Sequence, residues 1–106
     1  MEKERRSAPR VRVNLPARWE GATSRENATV TDLSRNGCFV LSGGKVELKE
    51  LVCLEIHLTE QQMVTFWGEV VNEASEIGFA VRFNSSSPED EAALAKYLEG
   101  VFERKA

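Results

Sequence analysis

Apolar and polar residues alternate through most of this chain, and a period of two is the pattern of β-strands with one buried and one exposed face. The first such stretch follows Pro9, where Val11, Val13 and Leu15 alternate with polar residues. Later stretches with strand-forming composition or alternation are residues 29–33, 38–41, 54–59, 63–71 and 77–83. We therefore expect a mainly β chain of six strands, in which short polar turns join antiparallel neighbours.

The spacing of apolar residues changes near the C-terminus, where a helix is predicted over about residues 88–104. Ser87, Pro88 and then Asp90 form a helix start, because Ser caps a free amide and Pro fits the first turn. An apolar stripe at helical spacing follows, at Leu94, Tyr97, Leu98, Val101 and Phe102. Six strands and this helix predict a small antiparallel six-stranded β-barrel with a C-terminal α-helix packed on it as a lid.

The charge of the chain is unevenly distributed. Its 106 residues carry a net charge of −3 and have the length of a single domain. Residues 1–18 carry six basic and two acidic side chains, or +4, and the other 88 residues carry eight basic and fifteen acidic ones, or −7. A protein that binds DNA or RNA along its length needs a broad basic face. A short basic arm on an acidic body fits a compact anion better, and nucleic acid is the weaker alternative.

The basic arm contains the first candidate motif, Arg5-Arg-Ser-Ala-Pro-Arg10. Pro9 prevents a helix and favours extended backbone. Residues four apart in an extended chain share a side, so Arg6 and Arg10 can face one ligand about 13 Å apart. Each guanidinium can bind a phosphate, or the O6/N7 edge of a guanine, through two hydrogen bonds. The alternative is a solvated basic tail.

The second candidate motif is the hexapeptide Asp32-Leu-Ser-Arg-Asn-Gly37. In extended backbone Asp32 and Ser34 point the same way and present a carboxylate and a hydroxyl group. Gly37 lets a ligand approach the chain closely. A carboxylate can accept hydrogen bonds from the N1–H and N2 amine of guanine, while arginines bind its other edge and phosphate. The alternative is ordinary turn chemistry, since these residue types are common in turns.

Together the two motifs resemble the signature of the PilZ domain family, bacterial receptors for cyclic di-GMP. That signature is Arg-x-x-x-Arg in an N-terminal arm, followed by [Asp/Asn]-x-Ser-x-x-Gly on the barrel, and this chain has Arg6 to Arg10 and Asp32 to Gly37. The later runs Gly68-Glu-Val-Val and Ile77-Gly-Phe-Ala-Val-Arg-Phe83 are also similar to the family's late strands. The resemblance covers nearly the whole chain and implies the split barrel of that family.

The resemblance implies a set of ligand-binding residues. Arg6 and Arg10 would hold guanine and phosphate from the arm, and Asp32 and Ser34 would do so from the barrel. Arg5 matches a position where arginine accompanies the binding of two intercalated ligand molecules instead of one. The expected cyclic di-GMP site is Arg5, Arg6, Arg10, Asp32, Ser34 and Gly37. Arg35 is a further candidate for phosphate, with a solvated turn residue as the alternative.

We therefore expect a cytoplasmic cyclic di-GMP receptor with a flexible ligand-binding arm at residues 1–10 and a barrel domain at residues 11–106. Closure of the arm on the ligand would alter binding to an unidentified downstream protein, and a homodimer is left open. The alternative is a ligand-independent, PilZ-like protein-interaction module. The residues suggest no catalytic constellation, and no run is long and apolar enough for membrane insertion. No cofactor is expected besides the ligand.

The remaining reactive and aromatic residues are predicted to have structural roles. Cys38 and Cys53 lie in strand-like runs without metal-ligand spacing and are expected to be buried free thiols. The single histidine, His57, is expected on an exposed strand position. Trp19 and Trp67 are interpreted as packing residues, with stacking on guanine as the alternative.

Overall fold

A computed structural model describes residues 9–74 and 77–105 of the chain. Those residues form six strands followed by one helix. The elements are β1 (Val11–Glu20), β2 (Arg25–Leu33), β3 (Gly37–Leu41), β4 (Leu51–Thr59), β5 (Gln62–Ala74), β6 (Gly78–Ser86) and α1 (Pro88–Lys105).

The six strands close into a barrel in the order β1-β2-β3-β6-β5-β4, and every neighbouring pair is antiparallel. The predicted fold class, a six-stranded antiparallel barrel with a C-terminal helix, is confirmed. Alternate residues of each strand point inward, as the sequence pattern requires. The largest fully buried side chains are Trp19, Phe79, Leu33, Leu54, Ile56, Leu94, Val30, Val40, Val52, Val64 and Val70.

The ladder between β1 and β4 is short, and α1 packs on the barrel against β1 and β5. The β1–β4 ladder contains only the residue pairs from Ala17↔Ile56 to Glu20↔Cys53. Pro16 lies just beyond that ladder, where its missing N–H leaves no bond unmade on the β4 side. Helix α1 contacts β1 and β5 and buries Leu94, Leu98 and Val101.

The start of α1 is held by two side chains. The hydroxyl oxygen of Ser87 accepts a hydrogen bond from the Asp90 N–H at 3.1 Å, so the predicted N-cap is confirmed. The Asp90 carboxylate accepts from the Thr65 N–H of β5 at 3.0 Å. Because β5 pairs with β6 only from Phe66 onward, Asp90 satisfies a strand amide that the sheet leaves free on that side.

Two of the structural interpretations need correction. Trp19 is fully buried and donates to the Ser42 hydroxyl oxygen, but Trp67 is 47% exposed. Trp67 occupies an outward position of β5, between Cys53 and Ser85 on the neighbouring strands. Cys53 is half-buried for the same reason, whereas Cys38 is buried as predicted.

Among the described residues, no helix has the length and apolar composition needed to cross a membrane. Within the same ranges, no three His, Cys, Asp or Glu side chains are grouped to hold a metal ion.

Candidate functional site

A groove of about 360 Å³ lies on the outside of the barrel, where the β2–β3 turn meets β5 and β6. Its side chains come from three distant parts of the chain: the residue before β1, the second motif, and the late strands. The groove is lined by Arg10, Asp32, Leu33, Ser34, Asn36, Gly37, Cys38, Phe39, Val71, Asn72, Ala80, Val81 and Arg82. The two sequence motifs therefore meet in one place, through Arg10 from the first motif and Asp32, Ser34 and Gly37 from the second.

Asp32 presents its carboxylate on the outer face of β2, with 35% of the side chain exposed. Its cross-strand neighbours are Arg12 on β1 and Phe39 on β3. The Arg12 Nε atom lies 3.7 Å from the Asp32 Oδ1 atom, and Arg12 is largely exposed. Such an exposed pair is weak. The carboxylate therefore remains able to accept hydrogen bonds from a ligand.

Ser34 is buried, and its hydroxyl group is used inside the turn. The oxygen accepts from the N–H groups of Asn36 at 3.1 Å and Gly37 at 3.2 Å, and the hydroxyl donates to the Gly37 carbonyl at 3.3 Å. A hydroxyl group has one donor and two acceptor positions. Its hydrogen-bonding capacity is thus filled by the protein, and Ser34 fixes the shape of the turn on the groove wall.

Gly37 is the first residue of β3, and no glycine among the described residues has a positive φ. Its lack of a side chain is required by packing. An added Cβ would collide with the backbone carbonyl oxygen of Val81 on β6. The residue lines the groove, and the close approach that it permits in the structure is that of a neighbouring strand.

Among the described residues, Arg10 and Arg82 bring guanidinium groups to the edge of the groove. Arg82 lies outward on β6, opposite Gly37 on β3 and Glu69 on β5. It donates to the Glu69 carboxylate at 2.8 Å. The predicted site residues Arg5 and Arg6 lie outside the described part of the chain.

Arg35 lines a different groove. That second groove, of about 550 Å³, lies between the β2–β3 turn, the end of β6 and the start of α1. Asn36 is the residue that both grooves share, and its carbonyl oxygen accepts from the Phe83 N–H at 2.8 Å. Arg35 is therefore directed away from the groove that contains Asp32 and Arg10.

The first groove combines the groups that a nucleotide needs. Guanidinium groups bind phosphate or the acceptor edge of a purine. A carboxylate accepts from ring N–H and amine groups. Phe39 and Ala80 sit side by side on β3 and β6 and supply an apolar floor on which a base can lie.

Sequence reasoning missed Arg12 and Arg82 as parts of this surface. Both lie outward on their strands, and which residues lie beside them depends on strand register. Arg12 lies opposite Asp32, and Arg82 lies opposite Gly37. The alternation within each strand signals that both arginines point outward, but the sequence alone does not show which strands pair or in which register.

Fold and groove together define a class of protein: a small closed β-barrel with a C-terminal helix packed on it and, on its outer face, a groove lined by arginine and aspartate side chains. A family model described as PilZ domain matches residues 4–100. The chain belongs to the PilZ domain family. The resemblance inferred from the two motifs is confirmed.

Solved structures of this family share the fold at low sequence identity. The inhibitor of motility MotI/DgrA of Bacillus subtilis superposes with a TM-score of 0.81 at 19% identity, over 97% of this chain and 53% of its own. The PilZ domain of YcgR from Escherichia coli, solved with c-di-GMP, gives 0.75 at 17% identity, over 96% and 94%. The MrkH–c-di-GMP complex of K. pneumonia gives 0.76 at 19%, over 97% and 56%.

The chain spans about half the length of MotI and of MrkH. No curated protein matches its sequence.

Proposed function

We propose that this protein is a receptor for cyclic di-GMP and that the ligand binds in the groove containing Asp32. The observation that carries the proposal is the meeting of Arg10 with Asp32, Ser34 and Gly37 in one groove. Membership of the PilZ family supports it, as do the c-di-GMP complexes of YcgR and MrkH, which share the fold. Cyclic di-GMP has two guanine bases and two phosphates, the chemistry for which these side chains are suited.

Five of the groove residues have proposed roles in ligand binding. Asp32 accepts hydrogen bonds from a guanine, and Arg10 and Arg82 bind phosphate or the guanine O6/N7 edge. Ser34 contributes by holding the turn, since its hydroxyl is already fully hydrogen-bonded. Gly37 keeps β3 close to β6, so that Arg82 and Asp32 border the same groove.

Arg5 and Arg6 are proposed to complete the site from the arm. Arg10 borders the groove, so the preceding residues begin next to it. Extended backbone covers about 3.3 Å per residue, which brings Arg5 and Arg6 within reach of a ligand in the groove. Closure of residues 1–10 over the ligand changes the surface that a downstream protein meets. Arg5 would support a second, intercalated ligand molecule.

Calorimetric titration of cyclic di-GMP into the wild-type protein and Arg10→Ala tests the receptor function. The substitution removes bidentate, charge-assisted hydrogen bonds that contribute about 1.5–3 kcal/mol to the binding free energy. We therefore expect the affinity to fall by about 10- to 100-fold. Arg18→Ala is the matched control, because Arg18 is an exposed β1 arginine that lines a separate groove. We expect Arg18→Ala to bind like the wild type and GTP to give no heat.

The stoichiometry of the same titration tests the role of Arg5. Two ligand molecules per chain, reduced to one in Arg5→Ala, would support the intercalated pair. A folded wild-type protein that gives no heat with cyclic di-GMP would overturn the receptor proposal and favour the ligand-independent interaction module.

A further inference from the structure

The outer surface around Trp67 has an unexplained apolar centre. Trp67 is 47% exposed, and Leu51, diagonal to it on β4, is 56% exposed. Cys53 lies between Trp67 and the outer face of β1. Exposed tryptophans are among the residues most often central to protein–protein contacts. We refer to Leu51, Cys53, Trp67 and Glu69 as the Trp67 face.

Glu69 is the charged member of this face. It lies two residues after Trp67 on β5, so both side chains are on the same side of the sheet. Its carboxylate Oε1 atom accepts from the Arg82 guanidinium at 2.8 Å. As long as this pair is formed, the carboxylate charge beside Trp67 is largely neutralised.

Arg82 also borders the candidate ligand groove. Its neighbour on β3 is Gly37, which has no side chain to block a movement of the guanidinium toward the groove. Arg82 is 63% exposed and Glu69 is 25% exposed. An ion pair exposed to this degree is weak. A ligand phosphate can therefore replace Glu69 as the partner of Arg82, because breaking the Arg82–Glu69 pair loses little free energy.

We propose that ligand binding draws Arg82 away from Glu69 and converts the Trp67 face into a docking site for a basic segment of a partner protein. An arginine or lysine of that segment stacks on the Trp67 ring and pairs with the released Glu69 carboxylate. Leu51 supplies an adjoining apolar contact. The acidic body of the chain favours a basic partner over an acidic one. This inference rests on the proposed function for its trigger.

Fluorescence quenching of Trp67 by Cs⁺ and by iodide tests the charge change. Trp19 is fully buried, so the quenchers report on Trp67. We expect cyclic di-GMP to raise the ratio of Cs⁺ to iodide quenching constants by about sevenfold at low ionic strength. One charge roughly 7 Å away in water changes the local concentration of each quencher by about 2.7-fold, in opposite directions for the cation and the anion. Arg82→Gln should show the raised ratio without ligand, and Glu69→Gln should show a low ratio throughout. An equal ligand effect in Glu69→Gln would overturn the proposal.

An NMR titration tests the occupant. The probe is an acetylated and amidated Gly-Arg-Gly peptide, and the control is the same peptide with neutral citrulline in place of arginine. We expect the arginine peptide to shift the Trp67 indole N–H resonance more strongly in the ligand-bound protein than in the free protein. Equal shifts from both peptides, or shifts unchanged by ligand, would overturn a cation site.

The inference and the proposed function fail in different ways. Calorimetry on the same samples reports whether cyclic di-GMP binds. If it does not, the ligand trigger is lost, whereas the comparison of ligand-free wild type with Arg82→Gln still tests the charge effect on Trp67. If it binds and the quenching ratio is unchanged, the receptor function stands and the inference is overturned.

Discussion

The hydroxyl group of Ser34 shows how a single residue of the second motif can serve the site without touching a ligand. Its three hydrogen bonds lie within residues 34–37 and fix the turn between β2 and β3. Asp32, two residues earlier, lies on the groove, and among the described residues it makes a long contact with Arg12. At the scale of residues, the members of the motif therefore have different roles. The Asp32 carboxylate faces the groove, and the Ser34 hydroxyl holds the turn in place.

Gly37→Ala is predicted to destabilise the barrel. The new methyl group would meet the Val81 backbone carbonyl, which cannot move without separating β3 from β6. Overpacking of this kind costs about 1–3 kcal/mol. Chemical denaturation measures the loss, and Gly43→Ala is the control, since nothing lies within 4 Å of an added Cβ at Gly43. Equal stability of the two variants would contradict the packing role of Gly37.

Cys38 predicts a loss of stability at alkaline pH. Burial raises the pKa of its thiol far above the ordinary value. The unfolded chain loses this proton above about pH 8.5 while the folded protein keeps it, so stability is fully present below that pH and is lost as pH rises. The slope for one proton is about 1.4 kcal/mol per pH unit. Urea unfolding from neutral pH to about pH 10 should show a steeper decline in wild type than in Cys38→Ala. Parallel declines would show that the thiol contributes nothing.

At the scale of elements, α1 is tied to the barrel by its first turn as well as by its apolar face. Ser87 caps the helix, and Asp90 accepts from the Thr65 N–H of β5. The acidic first turn also suits the positive end of the helix dipole. The start of α1 is therefore fixed against β5.

Asp90→Ala is predicted to destabilise the protein more than an exposed helix substitution. It leaves the Thr65 N–H without its partner, which costs about 1–3 kcal/mol. Asp90→Asn retains an acceptor oxygen and should recover part of the loss. Thermal unfolding compares the two variants with Glu89→Ala, at an exposed position one residue earlier. A loss in Asp90→Ala no larger than in Glu89→Ala would contradict this role.

Most elements could be predicted from the sequence, because each strand and the helix carries its own periodicity. The alternation from Val11 gave β1, and Ser87-Pro88 gave the start of α1. The turn-forming residue types of the second motif marked the position of the β2–β3 turn. They did not reveal that Gly37 belongs to β3 and is required by contact with β6, because that contact joins residues more than forty positions apart.

The groove could be predicted only in part. Asp32 and Arg10 line it as the motifs suggested. Arg82 lines the groove because of the register between β3 and β6. Arg35 does not line it, because the turn directs that side chain to the other groove.

The exposure of Trp67 was also missed, although the alternation of β5 signals it, because Trp67 lies between the inward residues Phe66 and Gly68. The register that brings Arg82 beside Gly37 is a tertiary property, which the composition of a single strand does not encode.

At the scale of the whole molecule, charge and topology support the same function. Residues 1–18 are net basic and the remainder of the chain is net acidic, and Arg10, which precedes β1, borders the groove. The closed barrel is a rigid support on which the turn, β5 and β6 hold the groove residues. In the proposed mechanism, ligand binding and closure of residues 1–10 change the surface, and the Arg82–Glu69 pair lies between the groove and the Trp67 face.

The central claim is that cyclic di-GMP binds in the groove at the β2–β3 turn, and NMR mapping of backbone amides during a titration tests it most directly. We predict that the largest shifts fall on residues 32–39 and 80–82, which line the groove or its turn. Residues 57–63, at the far end of the β4–β5 hairpin, should not shift. Shifts centred on that hairpin, or no shifts with excess ligand, would contradict the account.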